Sequence, residues 1–436
     1  MDVKCAVKNV AKKIPFAKGL RNRYRAFSGY RRRMSSDKLI NERLERKKQN
    51  GEEINVVFVC HRPAVWESLH SVYDALVKDQ RFNVTIVAIP NKKQLPKLDL
   101  DHETYESEGA EEFWKEYGCI NGYDYQSKKW LDLKTLEPDY VFFQQPYNIQ
   151  RCAEYKSWKV SRYAKLLFVP YGIQIIGGEV FESVHPSDFM NDVSIYFCPN
   201  TSLKSDLQGW LRTNNNKGLT KIVDSGFPRY DQFEKPVDQD SGIWKFKGKE
   251  KRFRVIWTPR WTTSEGCSTF FDYKDDILEY ARNNDDVEIV FRPHPQSFLE
   301  WNYTGLMPED KQIQFRADCD RAGILIDEDG EYLNKLRTAD CFLTDPTTLM
   351  GEYAVTEKPI IYTHKVDCFT NFGNTLAEGY YFCKTWSDVT NILNTLKKGS
   401  DPLAEVRARI ARENISAPAG GAGNYIKNEI LKDAGY

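Results

Sequence analysis

Long apolar runs are missing from this sequence of 436 residues. No stretch approaches the eighteen or more apolar residues of a transmembrane helix, so we expect no membrane span. The start of the chain has basic residues without a continuous apolar segment, so a secretory signal is not expected either. The nucleophile motif Gly-x-Ser-x-Gly is absent, which argues against a serine hydrolase. These absences favour a protein that folds in water and acts in the cytoplasm.

Paired cysteines are also missing. The ten cysteines lie at least fifteen residues apart, so there is neither a Cys-x-x-Cys motif nor the ligand spacing of a zinc site. Several lie in apolar runs, where a free thiol behaves as a small core residue; examples are Cys60, Cys198 and Cys341. The acidic clusters at 318–320 and 327–329 are interpreted as solvated loops. We therefore expect reduced thiols and no metal ion.

The sequence does have an uneven distribution of charge. Its 62 basic and 62 acidic residues cancel, but residues 1–50 contain 16 Lys or Arg against 4 Asp or Glu. This segment therefore carries a net charge of +12, and the other 386 residues carry −12. An apolar stripe at helical spacing runs through its start, formed by Val3, Val7, Val10 and Ile14.

A basic amphipathic helix of this kind is typical of proteins that lie on an anionic membrane surface. The alternative is that the stripe packs on the body of the protein. Nucleic acid is not expected as a partner, because the rest of the chain has no known binding motif for it.

Short apolar runs alternate with helical periods over the rest of the chain. The run at 54–60 is nearly continuous, as expected for a strand buried on both faces of a parallel sheet. The alternation pauses at a polar segment and starts again at residue 254. The sequence thus predicts an α/β fold with two Rossmann-type parallel-sheet domains that face a central cleft. The predicted units are a basic helical segment 1–50, a first domain 51–235, a linker 236–251, a second domain 252–400 and C-terminal helices 401–436.

In open α/β sheets, ligands bind just beyond the carboxyl ends of the strands. His61 and Arg62 follow the strand at 54–60, where they suit a base and a phosphate clamp. Tyr171 and Gly172 follow the strand at 166–169, where a glycine lets a ligand approach the backbone. The structural alternatives are a capping turn and an ordinary tight turn.

Two strand exits of the second domain carry arginines next to aromatic rings. Arg260 and Trp261 follow the strand at 254–257 and suit an anionic ligand that bears a base. Arg292 and His294 alternate with two prolines, which hold them in a fixed relation. Such a pair is able to grip a pyrophosphate, and the histidine to stabilise a departing phosphate.

A third exit carries hydroxyl groups. Asp345 follows the strand at 341–343, and Thr347 and Thr348 stand where the next helix is expected to begin. Their hydroxyls and the first N–H groups of that helix form a potential anion site. Plain helix capping needs only one of the two threonines and is the alternative.

Taken together, these motifs resemble the CDP-glycerol glycerophosphotransferase family, which includes the teichoic-acid polymerases. The resemblance covers most of residues 54–365. It is carried by Thr258-Pro259-Arg260-Trp261, by Arg292-Pro293-His294-Pro295, and by the segment from Tyr332 to Tyr362. The family implies a GT-B fold and transfer of glycerol phosphate, or a related polyol phosphate, from a CDP-activated donor to an acceptor hydroxyl with release of CMP. It implies neither metal nor cofactor.

The resemblance also implies roles for particular residues. Arg292 and His294 would contact the pyrophosphate and act in catalysis. The rest of the donor site would be Arg260, Trp261, Asp345, Thr347 and Thr348. The polymerases carry Trp-His-Gly where this chain has Pro170-Tyr171-Gly172, so the family's candidate base is missing here. We therefore assign the role of catalytic base to His61. The acceptor side of the cleft would be formed by His61, Arg62, Tyr171 and Gly172.

Three other functions remain open. The first is a GT-B glycosyltransferase that uses a CMP- or UDP-activated sugar, and the second is another UDP-sugar enzyme, such as a 2-epimerase. The third is a nucleotide-binding protein without catalysis. For the transferase we expect a lipid-linked or polymeric acceptor, as in teichoic-acid or capsule synthesis. The expected location is the inner face of the cell membrane, reached through residues 1–50.

Overall fold

The computed structural model describes residues 15–92, 104–107, 109–177, 187–213, 219–240, 242–329, 332–415 and 418–436. The strands of its two main sheets are β1 (Ile54–Cys60), β2 (Phe82–Ala88), β3 (Ile120–Asn121), β4 (Tyr140–Phe143), β5 (Lys165–Phe168), β6 (Val193–Cys198), β7 (Lys221–Asp224), β8 (Phe253–Thr258), β9 (Val287–Phe291), β10 (Leu325–Ile326), β11 (Cys341–Thr344), β12 (Ile360–Thr363) and β13 (Tyr380–Cys383).

The α-helices are α1 (Pro15–Asn50), α2 (His70–Val77), α3 (Ala110–Phe113), α4 (Ser157–Val160), α5 (Ser187–Met190), α6 (Thr201–Thr213), α7 (Phe270–Asn283), α8 (Ser297–Tyr303), α9 (Glu309–Arg321), α10 (Leu333–Thr338), α11 (Leu349–Tyr353), α12 (Asn371–Ala377), α13 (Trp386–Lys397), α14 (Ala404–Asn414) and α15 (Ala422–Asp433).

The first lobe is built on a sheet of seven parallel strands. Their order is β7-β6-β5-β4-β1-β2-β3. In the middle, Val56 of β1 pairs with Val84 on one side and with Tyr140 on the other. Six of the seven residues of β1 are buried, as its continuous apolar run predicts.

The second lobe repeats this plan with six parallel strands in the order β10-β9-β8-β11-β12-β13. Each sheet begins at a central strand, is extended on one side, and is then completed on the other. The switch points lie between β1 and β4 and between β8 and β11, where crevices for ligands form. The predicted pair of Rossmann-type parallel sheets is confirmed.

Helix α1 is anchored to the first lobe. Arg43 Nε and Lys47 Nζ each lie 2.7 Å from an oxygen of Asp139, which is fully buried just before β4. Ile40 and Leu44 are buried on the same side of the helix. This part of the basic segment therefore packs on the body, which was the alternative interpretation. The stripe from Val3 to Ile14 lies outside the described residues.

The linker and the C-terminal helix α15 connect the two lobes. Trp244, in the predicted linker, is buried and donates from Nε1 to Thr338 Oγ1 of the second lobe at 2.7 Å. Helix α15 returns to the first lobe, where Asp433 Oδ2 accepts hydrogen bonds from Tyr140 Oη at 2.7 Å and Lys165 Nζ at 2.6 Å. The second lobe thus lies between segments that belong to the first.

Two predictions about the whole chain concern apolar helices and cysteines. Across the described ranges, no helix is long and apolar enough to cross a membrane. Cys60, Cys198 and Cys341 are free thiols with no exposed surface, as expected for cysteines that behave as small core residues.

Candidate functional site

The two lobes meet where the loop after β5 reaches the second lobe. The backbone N–H of Thr370 donates to the carbonyl of Ile175, and its hydroxyl donates to the carbonyl of Gln174, both at 3.0 Å. A Cβ atom built on Gly172 would lie 3.3 Å from Thr348 Oγ1. The predicted acceptor residue Gly172 and the predicted donor residue Thr348 are therefore in contact across the cleft.

His61 follows β1 but is not open to the cleft. Its Nε2 lies 3.0 Å from Gln145 Oε1, and its backbone N–H donates to Gln144 Oε1 at 2.8 Å. The side chain is buried, and the small cavity beside it, bordered by Tyr147, offers about 10 Å³. That volume is on the order of one water molecule. An acceptor hydroxyl therefore has no room beside His61 in this structure, which does not favour its expected role as general base.

Tyr171 is linked to a second tyrosine of the first lobe. The hydroxyls of Tyr171 and Tyr147 lie 3.0 Å apart. Burial, and then the neighbouring Tyr171, raise the pKa of Tyr147 well above its ordinary value. Tyr147 therefore stays protonated and takes part in this contact as a neutral hydroxyl group.

His294 stands at the exit of β9 and stacks on Trp261. The ring centroids are 5.4 Å apart and the planes differ by 22°. Nδ1 of His294 accepts a hydrogen bond from the backbone N–H of Gln296 at 3.2 Å. In the neutral ring the proton therefore lies on Nε2, which is left as a donor.

The charge state of His294 is set by its position between the lobes. The residue is exposed, yet desolvation by the surrounding protein, followed by the charges of Arg260 and Arg62, lowers its pKa to about 4. Arg62 belongs to the first lobe and Arg260 to the second. His294 is consequently neutral at pH 7, and two positive charges act on it.

Arg260 follows β8, and its side chain already has an anionic partner. Its Nε and Nη2 donate to the two carboxylate oxygens of Glu265 at 2.7 and 2.9 Å. The side chains of Arg260 and Glu265 are 16% and 34% exposed. The sequence pattern identified the arginine but gave no sign of this carboxylate.

Asp345 does not line the cleft as expected. It is 1% exposed, and Oδ2 accepts hydrogen bonds from the backbone N–H groups of Arg260 and Thr269, both at 2.8 Å. The hydroxyls of Thr269 and Thr363 donate to Oδ1. Burial raises the pKa of Asp345 above its ordinary value, although these hydrogen bonds oppose the shift. The carboxylate thus joins the two ends of the loop between β8 and α7.

Arg292 is also committed to its own lobe. Its Nη1 donates to Asp327, which is buried, and its Nη2 donates to the carbonyl of Asp329 at 2.9 Å. Lys335 Nζ holds the other oxygen of Asp327 at 2.8 Å. The acidic cluster at 327–329, interpreted as a solvated loop, is thus partly a buried ion-pair site. In this geometry Nη1 and Nη2 of Arg292 are bound by groups of the second lobe.

Thr347 and Thr348 come before a shorter helix than the sequence suggested. Helix α11 spans only Leu349–Tyr353 and ends in a 3₁₀ turn, and the hydroxyl of Thr348 makes no capping hydrogen bond. Both threonines are half-buried. The Thr348 hydroxyl lies opposite Gly172, while Thr347 Oγ1 accepts from the backbone N–H of Leu349 at 3.4 Å. A helix of one turn adds little dipole.

A buried ion pair between the lobes was not found by sequence reasoning. Arg229, just after β7, lies 2.5 Å from Glu352 Oε1 through its Nη1 and also contacts the hydroxyl of Tyr332. The Tyr332 hydroxyl donates to Glu352 Oε2 at 2.8 Å. The guanidinium of Arg292 lies 5.2 Å from the Tyr332 ring centroid, so this cluster adjoins the donor loops.

A metal centre is not present in the described part of the chain: no three His, Cys, Asp or Glu side chains lie close enough there to hold an ion. A cavity of about 380 Å³ lies along α1 and is lined by residues that include Asp37 and Leu219. The cleft between the lobes remains the candidate site because the cationic and aromatic residues meet there.

Comparison with known proteins reveals the fold. No protein-family model matches the chain, and no curated protein matches it by sequence. Among solved structures, a protein from Listeria monocytogenes described as a UDP-N-acetylglucosamine 2-epimerase is similar over 87% of this chain and 96% of its own, with a TM-score of 0.59 and 13% identity. The UDP-GlcNAc 2-epimerase from Neisseria meningitidis bound to UDP-GlcNAc gives 0.53 at 12% identity, over 87% of this chain and 100% of its own.

The wall teichoic acid polymerase TagF, in a variant soaked with CDPG, is similar over 95% of this chain and 97% of its own. The TM-score is 0.51 and the identity is 14%. At these identities the comparisons establish the fold alone. The chain has a GT-B-type fold, with two Rossmann-type domains on either side of a cleft.

Proposed function

We propose that this protein is a transferase that moves glycerol phosphate, or a related polyol phosphate, from a CDP-activated donor to an acceptor hydroxyl and releases CMP. The observation that carries the proposal is the environment of His294. At the exit of β9, an imidazole with a donor at Nε2 stacks on Trp261, and the charges of Arg260 from one lobe and Arg62 from the other act on it. This is a site for a group that becomes more negative during the reaction.

The donor binds to the second lobe in this proposal. Trp261 supplies an aromatic surface beside His294, and Thr347 and Thr348 supply hydroxyls. Nε2 of His294 donates to the α-phosphate oxygens, and binding of that anion raises the pKa of the ring. Arg292 acts indirectly: it holds Asp327 and so positions the loop that follows β10.

In the reaction, the acceptor oxygen forms a bond to the β-phosphorus while the bond between that phosphorus and the bridging oxygen breaks. CMP leaves with the electron pair, and the acceptor proton is lost to solvent or to the departing phosphate. Phosphoryl transfer of this kind depends mainly on positioning and charge stabilisation. A strong base is therefore not required, which agrees with the burial of His61.

The acceptor would enter beside the first lobe, where Arg62, Tyr171 and Gly172 lie along the cleft. A lipid-linked or polymeric acceptor is supported by the basic segment 1–50, which carries a net charge of +12. That charge favours association with an anionic membrane on its cytoplasmic face.

A second candidate is an enzyme that acts on a UDP-activated sugar. It is supported by the similarity to the Listeria 2-epimerase, whose TM-score of 0.59 exceeds the 0.51 of TagF. Such an enzyme would use the same cleft but would bind uridine nucleotides.

The test is release of CMP from CDP-glycerol and CDP-ribitol, with CMP-sialic acid and UDP-N-acetylglucosamine as competing donors and a crude lipid-linked acceptor. We expect release from a CDP-polyol, and a loss of about 10²–10³ in rate in His294→Ala. The matched control is His364→Ala, since His364 follows strand β12 of the same sheet and pairs with Asp367. Turnover with UDP-N-acetylglucosamine alone would establish the second candidate instead.

A further inference from the structure

We infer that Glu265 occupies the anion-binding groups of Arg260 in the free protein and competes with the diphosphate of the ligand. This inference rests on the proposed nucleotide site and deepens it. The two carboxylate oxygens of Glu265 face Nε and Nη2 of Arg260 at 2.7 and 2.9 Å. A pair of phosphate oxygens fits the same guanidinium edge.

The loop that carries Glu265 is built to return to Arg260. Its two ends are joined through Asp345 Oδ2, which accepts from Arg260 N and Thr269 N at 2.8 Å. At the tip, Gly266 has a φ of +71°, a backbone conformation that glycine adopts without strain. Ser268 Oγ donates to the carbonyl of Arg260 at 2.8 Å. The closed loop therefore presents a carboxylate to the arginine five residues before it.

Solvent exposure decides which arginine is able to exchange its partner. Glu265 is 34% exposed, so its carboxylate is able to turn into water when a ligand arrives. Exposed ion pairs of this kind contribute little to stability, about 0–1 kcal/mol. Asp327, the partner of Arg292, is 2% exposed and is also held by Lys335. Releasing Arg292 would leave a buried carboxylate, so Arg260 is the arginine that changes partner.

The competition determines affinity for phosphates, and the test measures it directly. Glu265→Gln keeps the size of the side chain, replaces one acceptor oxygen by an NH2 donor and removes the negative charge. We expect dissociation constants for CDP and inorganic pyrophosphate to fall about tenfold, from removal of one like charge roughly 5 Å from a dianion at a hydrated site. Binding of uncharged cytidine should not change. Isothermal titration calorimetry on the full chain provides all three values.

A matched control is available in the same lobe. Glu328 accepts with both oxygens from Nη1 and Nη2 of Arg316 at 2.7 and 2.9 Å, a two-oxygen contact at a pair whose side chains are 51% and 39% exposed. Glu328→Gln should leave the three dissociation constants unchanged. Equal tightening in Glu328→Gln would mean a general effect of surface charge and would overturn the inference. Unchanged or weaker pyrophosphate binding in Glu265→Gln would overturn it as well.

The outcome is separable from that of the proposed reaction. If no donor releases CMP but pyrophosphate binding tightens in Glu265→Gln alone, the transfer proposal fails and the competition stands. If CMP is released and Glu265→Gln binds pyrophosphate as the parent protein does, the competition fails and the transferase stands.

Discussion

The Glu352→Gln substitution leaves the guanidinium of Arg229 without its carboxylate partner between the two lobes. Glu352 and Arg229 are 1% and 3% exposed, and their contact is 2.5 Å. Within the described part of the chain, Nε and Nη2 of Arg229 have no hydrogen-bond partner. The positive charge would therefore stay buried with no other anion in contact.

Removing one partner of a buried ion pair costs about 3–5 kcal/mol, because the remaining charge is neither hydrated nor compensated. Glutamine keeps an oxygen that accepts from Arg229 and Tyr332, so we expect the lower end, about 3 kcal/mol. That is a large part of the 5–15 kcal/mol that stabilises a typical protein. Replacing both residues, as Arg229→Met with Glu352→Gln, should cost about 2 kcal/mol less than the sum of the single changes.

The assay is urea unfolding followed by far-ultraviolet circular dichroism, with the fluorescence of the tryptophans as a second probe of whether both lobes unfold together. The control is Glu413→Gln, which breaks a pair with Arg409 whose side chains are 55% and 47% exposed. Its effect should stay within about 0.5 kcal/mol.

A loss below about 1 kcal/mol in Glu352→Gln, or strictly additive single changes, would refute the reasoning. Either result would mean that the pair is hydrated in solution, and therefore that the lobes stand further apart there than in this structure.

Two further predictions concern the cleft and the contact between the lobes. His294 should titrate near pH 4 in NMR spectra. A histidine in the unfolded chain has a pKa of about 6.5, so between pH 4 and pH 6.5 the unfolded chain binds more protons than the folded protein. The contribution of His294 to stability should thus be complete above pH 6.5 and decline as the pH falls toward 4. Titration of His294 near pH 6.5 in the free protein would contradict this. Binding of CDP should raise the pKa of His294. Gly373→Ala would place Cβ 2.1 Å from the Ile175 carbonyl oxygen, so thermal unfolding should show a loss of about 3 kcal/mol. In contrast, Gly209→Ala, with no atom within 4 Å of its Cβ in helix α6, should gain about 0.5–1 kcal/mol, and equal effects of the two alanines would disprove the close contact.

Much of the fold could be predicted because buried parallel strands and amphipathic helices each have a characteristic pattern of apolar residues within a short stretch of sequence. The apolar run at 54–60 is β1, and the predicted strand at 341–343 lies in β11. Helix α9 escaped prediction because it buries only Phe315 and Cys319 and therefore has no apolar stripe. The edge strand β13 was not predicted either.

The candidate site was predictable only as a set of strand exits. The rule that ligands bind beyond the carboxyl ends selected Arg260, Trp261 and His294, which the structure brings together. The same rule selected Asp345 and His61, which are buried and engaged with their own lobes. Periodicity does not tell whether a polar side chain beyond a strand turns toward the cleft or back into the protein.

The sequence by itself determined the two parallel sheets, the succession of their strands along the chain and the loops from which a ligand site is assembled. These features follow from local patterns of apolar residues. Tertiary structure alone decided the partners: Asp327 for Arg292, Glu352 for Arg229, and Arg62 as the cation that faces His294 from the other lobe. The strength of a charge depends on distance and burial in three dimensions. These partners lie from 35 to more than 200 residues apart in the chain, where no local pattern reaches.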